Sequence, residues 1–422
     1  MSLRSSIGAL SALAACFVSG SALAGGYDTP MLYSARHLGM GGTAIGYVHD
    51  PSALFHNPAG LVDAGRVAAL VDFSLLLGKL SASPSLNARD VESELTVAPF
   101  FMVAGAYRLT PWLSAGLGLY PIASSGATYR YGNPGFENKT SLMFVEATPA
   151  LAARIGKQFS VGLGYRVTLV RLERFEGNRD DGTVPFLDFK LRGFNFAGFR
   201  LGLKWTPTPR LSAGLVYRQK TTTRVENDAG IALGKTFHDV STEFVLPTKF
   251  GAGVRYDLDD HGPHLGLALD VEYSLNSENH GSPLRGTLAG ASSETAVPNV
   301  FGWKDSVTLR LGAEYRTLHD AELARDRLAL RVGYVFDSRT ANPQYPTAFG
   351  TPPGATQVFT CGAGYDFGWF QSNLALAYRF GSASVSAQDL SADGREECAF
   401  CGAAGDYAIK LTGLYVDASY AF

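Results

Sequence analysis

The chain ends Lys410-Leu411-Thr412-Gly413-Leu414-Tyr415-Val416-Asp417-Ala418-Ser419-Tyr420-Ala421-Phe422. Side chains along a strand alternate with period two. Leu414, Val416, Ala418, Tyr420 and Phe422 therefore share one face, and Gly413, Tyr415, Asp417, Ser419 and Ala421 share the other. One face is apolar and the other is small or polar. A terminal Phe on such a strand is poorly placed in water. It suits the aromatic girdle of a transmembrane barrel, where rings sit at the lipid interface. Tyr420 and Phe422 are the expected membrane anchors.

The opposite end of the chain agrees. Residues 1–24 carry Arg4, an apolar stretch from about Ile7 to Val18, and the small-residue site Ala22-Leu23-Ala24. This is the pattern of a secretory signal peptide cleaved before Gly25. The alternative, an N-terminal membrane helix, needs about 20 apolar residues and does not find them. A last strand ending in Phe also resembles the signal read by the bacterial outer-membrane assembly machinery, which is an expected partner.

No later run supplies the ~18–20 apolar residues of a spanning helix. The mean hydropathy of +0.04 is therefore a mixture of alternating faces. Gly 48, Tyr 19 and Phe 26 suit a β-rich chain with aromatic girdles. A net charge of −2 gives no electrostatic footprint for nucleic acid. No linker or low-complexity stretch divides the chain, so one large closed sheet is expected.

Period-two segments recur at 66–77, 93–108, 112–123, 140–155, 159–175, 188–205, 211–226, 241–257, 264–276, 303–316, 326–338, 356–367, 369–384 and 408–422. In the fifth, Phe159, Val161, Leu163, Tyr165, Val167 and Leu169 oppose Ser160, Gly162, Gly164, Arg166 and Thr168. Most segments exceed the ~9–11 residues that cross a bilayer at a tilt. Tight connections, such as Thr110-Pro111 and Gly156-Lys157-Gln158, alternate with long ones, such as 277–302 and 385–407. Outer-membrane barrels have short periplasmic turns and long outer loops. The expectation is all-β: a 14-stranded antiparallel transmembrane barrel over 66–422, in the bacterial outer membrane. The linkers 78–92, 124–139 and 339–355 are expected as loops. Those at about 176–187 and 227–240 look short for a long outer groove.

Before the barrel, residues 25–65 do not alternate. Gly39, Gly41 and Gly42 break regular structure, Asp50-Pro51-Ser52-Ala53-Leu54-Phe55 reads as a capped helical turn, and Asn57-Pro58-Ala59-Gly60 reads as a turn. A barrel of this size encloses an aqueous lumen unless something fills it. The segment is the natural plug.

Gly39-Met40-Gly41-Gly42-Thr43-Ala44, Asp50-Pro51-Ser52-Ala53 and Asn57-Pro58-Ala59-Gly60-Leu61 resemble the N-terminal hatch of the FadL/TodX-type outer-membrane transporters of hydrophobic compounds, an OmpP1-like family. The resemblance implies passive uptake of hydrophobic molecules such as long-chain fatty acids. It gives Gly41, Gly42, Asn57, Pro58 and Ala59 a part in hatch gating. It also implies a sideways exit into the membrane at a kink in the third strand, where Gly116, Gly118 and Pro121 lie. A plainer reading is that these residues relieve crowding in the lumen.

If apolar faces meet lipid, ten basic residues face inward against five acidic ones (Asp270, Glu272, Glu314, Asp337 and Asp417). An Arg fork suits a carboxylate head group. Arg166, Arg310 and Arg331, near mid-barrel, are the candidate ligand residues. The competing expectation is that these charges pair with one another and with the hatch. Cys398 and Cys401, as C-x-x-C in a Gly/Ala-rich loop, read as a local disulfide, leaving Cys361 unpaired or exchanging with one of them.

The histidines fall in the hatch or in turns. No nucleophile–base pair is placed on the outer wall, so no enzymatic activity is expected. No cofactor and no metal are expected; His261 and His264 with Asp257, Asp259 and Asp260 read as a polar turn. The rivals are a general diffusion porin, which would not need a forty-residue plug, a carrier of neutral aromatic hydrocarbons, and an adhesin. Outer-membrane lipid is the remaining expected partner, and a monomer the expected state.

Overall fold

A computed structural model describes Tyr27 and residues 33–132, 135–180, 182–258, 264–320, 325–349 and 353–422. The signal peptide expected over 1–24 and the turn residues Asp259, Asp260 and His261 lie outside the described residues. Fourteen strands form one antiparallel sheet. They are β1 Val67–Ala82, β2 Thr96–Thr110, β3 Leu113–Tyr131, β4 Phe136–Ile155, β5 Phe159–Gly177, β6 Leu187–Thr208 and β7 Leu211–Arg218 continued by Thr221–Ala232. The return half is β8 Lys235–Leu246 continued by Lys249–Asp257, β9 His264–Ser274, β10 Ser306–Asp320, β11 Arg325–Asp337, β12 Thr356–Asp366, β13 Gln371–Val385 and β14 Gly405–Ala421. The sheet closes where β14 pairs with β1, from Ala68↔Ala421 to Ser81↔Ala408. Joining the first and last strands in this way is how a sheet satisfies its backbone in lipid.

The wall residues divide by polarity. On β5, Leu163 and Tyr165 are exposed on the outer face while Arg166 and Thr168 are buried inside. Higher on the same strand the pattern inverts: Val170 and Leu172 are buried and Arg171 is exposed. β6 starts the same way, with Leu187, Phe189 and Leu191 buried between exposed Lys190 and Arg192. The lower part of the wall thus faces lipid, and the upper part encloses an apolar interior behind a polar surface. At the turn end, Tyr420 and Phe422 are exposed on the outer wall, and Phe422 exchanges backbone hydrogen bonds with Val67 at 2.9 Å.

This inversion corrects the expected loop boundaries. Residues 227–240 are not a loop. β7 and β8 run on to Ala232 and Lys235 and meet in a two-residue turn, with Leu233 and Gly234 at φ 54 and 69. Both central residues at positive φ make the type I′ hairpin that matches strand twist. Residues 124–139 likewise belong mostly to β3 and β4, paired up to Tyr131↔Phe136. These strand tops read as loops because their apolar side chains switch faces.

The plug follows from its sequence. Short helices α1 Ala35–Leu38 and α2 Ala53–His56 and a 3-10 turn Pro58–Asp63 lie within the barrel. Asp50 Oδ1 accepts the Ser52 N–H at 2.8 Å, an Asx turn that leads into α2. Ala35, Met40, Ala44, Leu54 and Leu61 are fully buried, so the barrel supplies the core that this segment lacks alone.

Candidate ligand path through the barrel

The hatch is fixed to the wall by side chains and close backbone contact. Asn57 accepts from the Ala59 N–H at 3.1 Å and donates from Nδ2 to the carbonyls of Ile45 (2.7 Å) and, on β6, Leu203 (3.0 Å). Pro58 and Ala59 press on β5 so closely that a Cβ on Gly162 would meet them at 2.4 Å. Gly41 and Gly42 have φ of 69 and 76, and the Gly41 N–H donates to Thr360 Oγ1 at 3.0 Å. Wall carboxylates complete the seat. Asp270 accepts from the N–H groups of Ala44 (2.8 Å) and Ile45 (3.0 Å), and Asp417 from the Ser34 hydroxyl (2.7 Å).

The three singled-out arginines do not converge on one point. Arg166 pairs with Glu146 at 2.6 Å, and Glu146 also meets Arg200 at 3.5 Å. Arg331 is spent on Glu314 (2.7 Å) and Asn373 (2.8 Å), with its Cβ against the hatch at Gly39. Arg310 lines a pocket of about 50 Å³ directly above the hatch. Its walls carry Arg200, Arg218, Lys249 and Arg310 against the single carboxylate Glu272, with Ile45, Phe55, Ile122 and Val216 as the apolar part. Arg310 Nη1 bonds Glu272. Its Nε and Nη2, the edge that grips a carboxylate bidentately, are buried with no acceptor among the described residues. His56 closes one side. Burial, helped by neighbouring His37, brings its imidazole down to about 3, so it is neutral and its Nε2 donates to the Tyr33 carbonyl at 2.7 Å. Glu146 and Asp72 were absent from the five expected inward carboxylates, although Glu146 between Val145 and Ala147 was legible from alternation.

Above this pocket is an aromatic cavity of about 90 Å³. Tyr27 stacks on Phe144 with centroids at 5.3 Å and meets Trp303 at 4.8 Å. Phe244, Phe301, Phe349 and Phe400 add further rings. Of the cavity's lining residues, Trp303, Thr140 and Arg174 each hold a buried polar atom (Nε1, Oγ1 and Nε) without a hydrogen-bond partner among the described residues. Nothing in the alternation pattern marks Tyr27 or Phe400, which come from the N-terminal segment and from a loop; Trp303, the first residue of the expected segment 303–316, stands before β10, which begins at Ser306.

The wall is interrupted beside the pocket. β2 pairs with β3 only from Thr110↔Leu113 to Val103↔Leu119, although β2 continues to pair with β1 as far as Thr96↔Gly78. Tyr120, Pro121, Ile122 and Ala123 are all buried, where strict alternation would expose two of them. A bulge at Ile122 shifts the register against β4. Contact resumes at Glu94 N–H to Thr128 O, 2.8 Å. The Pro121 carbonyl accepts from the Tyr33 hydroxyl of the hatch at 2.7 Å. Gly116 and Gly118 lie below the gap, in the paired part of the ladder, where a Cβ would meet Leu54 of the hatch at 3.2 and 3.0 Å. Over the top, Cys398 and Cys401 form a disulfide, and Cys361 is free on the exposed wall.

The model of the outer membrane protein transport protein family (OMPP1/FadL/TodX) matches residues 15–400. Among solved structures, the chain is similar to a Pseudomonas aeruginosa FadL homologue, at 15% identity and a TM-score of 0.69 over 94% of this chain and 100% of the other. It is similar to the Pseudomonas putida toluene transporter TodX at 16% identity and a TM-score of 0.65, over 96% and 100%. The Ralstonia pickettii toluene transporter TbuX gives 15% and 0.65, over 93% and 99%. These likenesses are of fold. No curated protein sequence matches the chain.

Proposed function

The chain belongs to the OMPP1/FadL/TodX family of outer membrane transport proteins, and from that premise we propose that it takes up long-chain fatty acids. The observation that carries the choice of an acid is Arg310. Its Nε/Nη2 edge is buried without an acceptor among the described residues, in a pocket with four cations and one carboxylate. A neutral ligand leaves that edge desolvated and unpaired, which costs free energy. A carboxylate fills it with two charge-assisted bonds.

The path runs from the aromatic cavity to the Arg310 pocket, and then sideways through the β2–β3 gap. Ile122 lies between them, packed with the upper cluster and lining the lower pocket. Residues 25–65 act as the hatch, with Gly41, Gly42, Asn57, Pro58 and Ala59 as its hold on the wall. Release of Tyr33 from Pro121 would free the gap. Residues 1–24 serve as the signal peptide, Tyr420 and Phe422 as membrane anchors and assembly signal, and the chain works as a monomer.

A second reading, neutral aromatic hydrocarbons, has its own support in the ring-lined cavity and in the toluene transporters of the same fold. The test is uptake of a labelled long-chain fatty acid and of labelled toluene by a host lacking its own channel. Acid uptake that falls with Arg310→Met supports the proposal. Toluene uptake that is indifferent to Arg310→Met, with no acid uptake, overturns it.

A further inference from the structure

Three outer segments meet above the aromatic cavity, and the one between β13 and β14 places a phenyl ring there. Phe400 sits inside the four-residue turn closed by the Cys398–Cys401 disulfide. The turn is tied down on every side. The Ala399 N–H donates to the Pro298 carbonyl (2.9 Å), Gly402 N–H to Pro346 O (2.8 Å), and Ala403 N–H to Ser83 O (2.8 Å). Before it, Arg395 Nε donates to Gln344 O (2.9 Å) and the Glu396 N–H to the Tyr345 hydroxyl (2.7 Å). Both sulfurs lie against the Val300 carbonyl, at 3.7 and 3.5 Å.

These ties leave the backbone little room and aim the Phe400 ring into the cavity, where it lines the wall with Phe301, Trp303 and Phe349. The Arg174 guanidinium lies 4.6 Å from the Phe349 centroid and 5.4 Å from that of Phe400, bridging the two rings. Below them Trp303 is only 6% exposed.

We propose that Phe400, held in place by the Cys398–Cys401 disulfide, is the roof of the aromatic cavity and the residue that sets the girth of molecule admitted from outside. The inference rests on that cavity being the transport path, but the roof can be tested without any ligand. In a Trp112→Phe, Trp205→Phe, Trp369→Phe background, Trp303 is the sole indole, and its quenching by acrylamide reports how open the cavity is. Heat-modifiable gel migration checks that each variant barrel is folded.

Phe400→Ala is expected to raise the quenching constant several-fold. Cys398→Ser/Cys401→Ser should raise it in the same direction, and combining the substitutions should add little beyond Phe400→Ala. Phe400→Leu, which keeps an apolar side chain, should fall between wild type and Ala and serves if Ala impairs assembly. Uptake of a ligand bearing a bulky label should rise in Phe400→Ala relative to a slim one. Unchanged quenching in both Phe400 variants overturns the roof. A rise in Phe400→Ala with none in the double-serine variant overturns the staple. Quenching as expected with no uptake of any ligand would sink the path while the roof stands.

Discussion

A Cβ placed on Gly202 of the wall would stand 2.0 Å from Oδ1 of Asn57 in the hatch. The hatch motif and a glycine 145 positions later are therefore one structural unit, because only a bare backbone lets the amide reach Leu203 and Ile45.

Gly202→Val is expected to expel Asn57 from its seat, with an overpacking cost of about 1–3 kcal/mol. Asn57→Ala removes three hydrogen bonds worth about 1 kcal/mol each and strands two carbonyls. Both should raise ion conductance in planar bilayers and expose the hatch to protease while the barrel remains folded. Wild-type conductance in both variants would show that the hatch is held elsewhere.

The Arg310 pocket gives opposite expectations for two neighbours. Arg310→Met should weaken binding of a long-chain carboxylate at least tenfold, since each hydrogen bond to a charged group is worth about 1.5–3 kcal/mol. Glu272→Gln removes the internal competitor for the same guanidinium and should tighten binding. Binding of the matching fatty alcohol should change much less. Equal changes for acid and alcohol would mean that the pocket recognises shape rather than charge.

Deleting Ile122 removes the bulge between β3 and β4 and lets β3 continue its alternation toward β2. Uptake should fall several-fold without loss of assembly or of ligand binding in the pocket. Unaltered uptake with a continuous ladder, seen as amide-exchange protection along 96–102, would place the exit elsewhere.

Acid should loosen the hatch. An undocked His56 takes up a proton near 6.5, whereas the docked one resists until about 3. The undocked state therefore binds more protons between those values, and docking strength rises with pH across the window. It is fully present above about 6.5 and is lost progressively toward 3. His49, held down chiefly by Arg36, contributes with the same sign. Burial alone would raise Asp50, but His37 at 3.4 Å, His49 and Arg36 together outweigh it and hold the carboxyl below the usual range, so Asp50 adds acid sensitivity only below about 4. Protease cleavage of the hatch should rise from pH 7 to 4.5, and less steeply in His56→Gln, whose amide can still donate to Tyr33. An identical pH profile in that variant would remove His56 from the account.

The barrel was legible because lipid enforces a strict rule: apolar outward and polar inward at period two over most of each strand. That rule gives the fourteen strands, and the terminal Phe422 lies paired against Val67. It fails where lipid ends. Above Leu169 on β5 the apolar residues turn inward, and the same change of face makes 227–240 and most of 124–139 read as loops although they are strand. The pocket was half legible. Arg310 and its cationic neighbours follow from alternation, but their partners depend on which side chains meet across the lumen. Arg331 illustrates this, being indistinguishable in pattern from Arg310 yet already bonded through Nε to Glu314 and through Nη1 to Asn373. Tyr27 and Phe400 lie outside any period, and only closure of the barrel brings them together.

The inversion of polarity along the strands also fixes how far the molecule stands out of the membrane. β6 has 22 residues. At a rise of about 3.4 Å and a tilt of about 40°, it climbs roughly 55 Å, against an apolar belt of about 25 Å. About half of the barrel is then a turret standing among the hydrated head groups and sugars of the cell surface, with a greasy bore and a wettable exterior. A hydrophobic molecule meets that bore before it meets the polar layer, so the layer that keeps such molecules out of the membrane need never be crossed on foot.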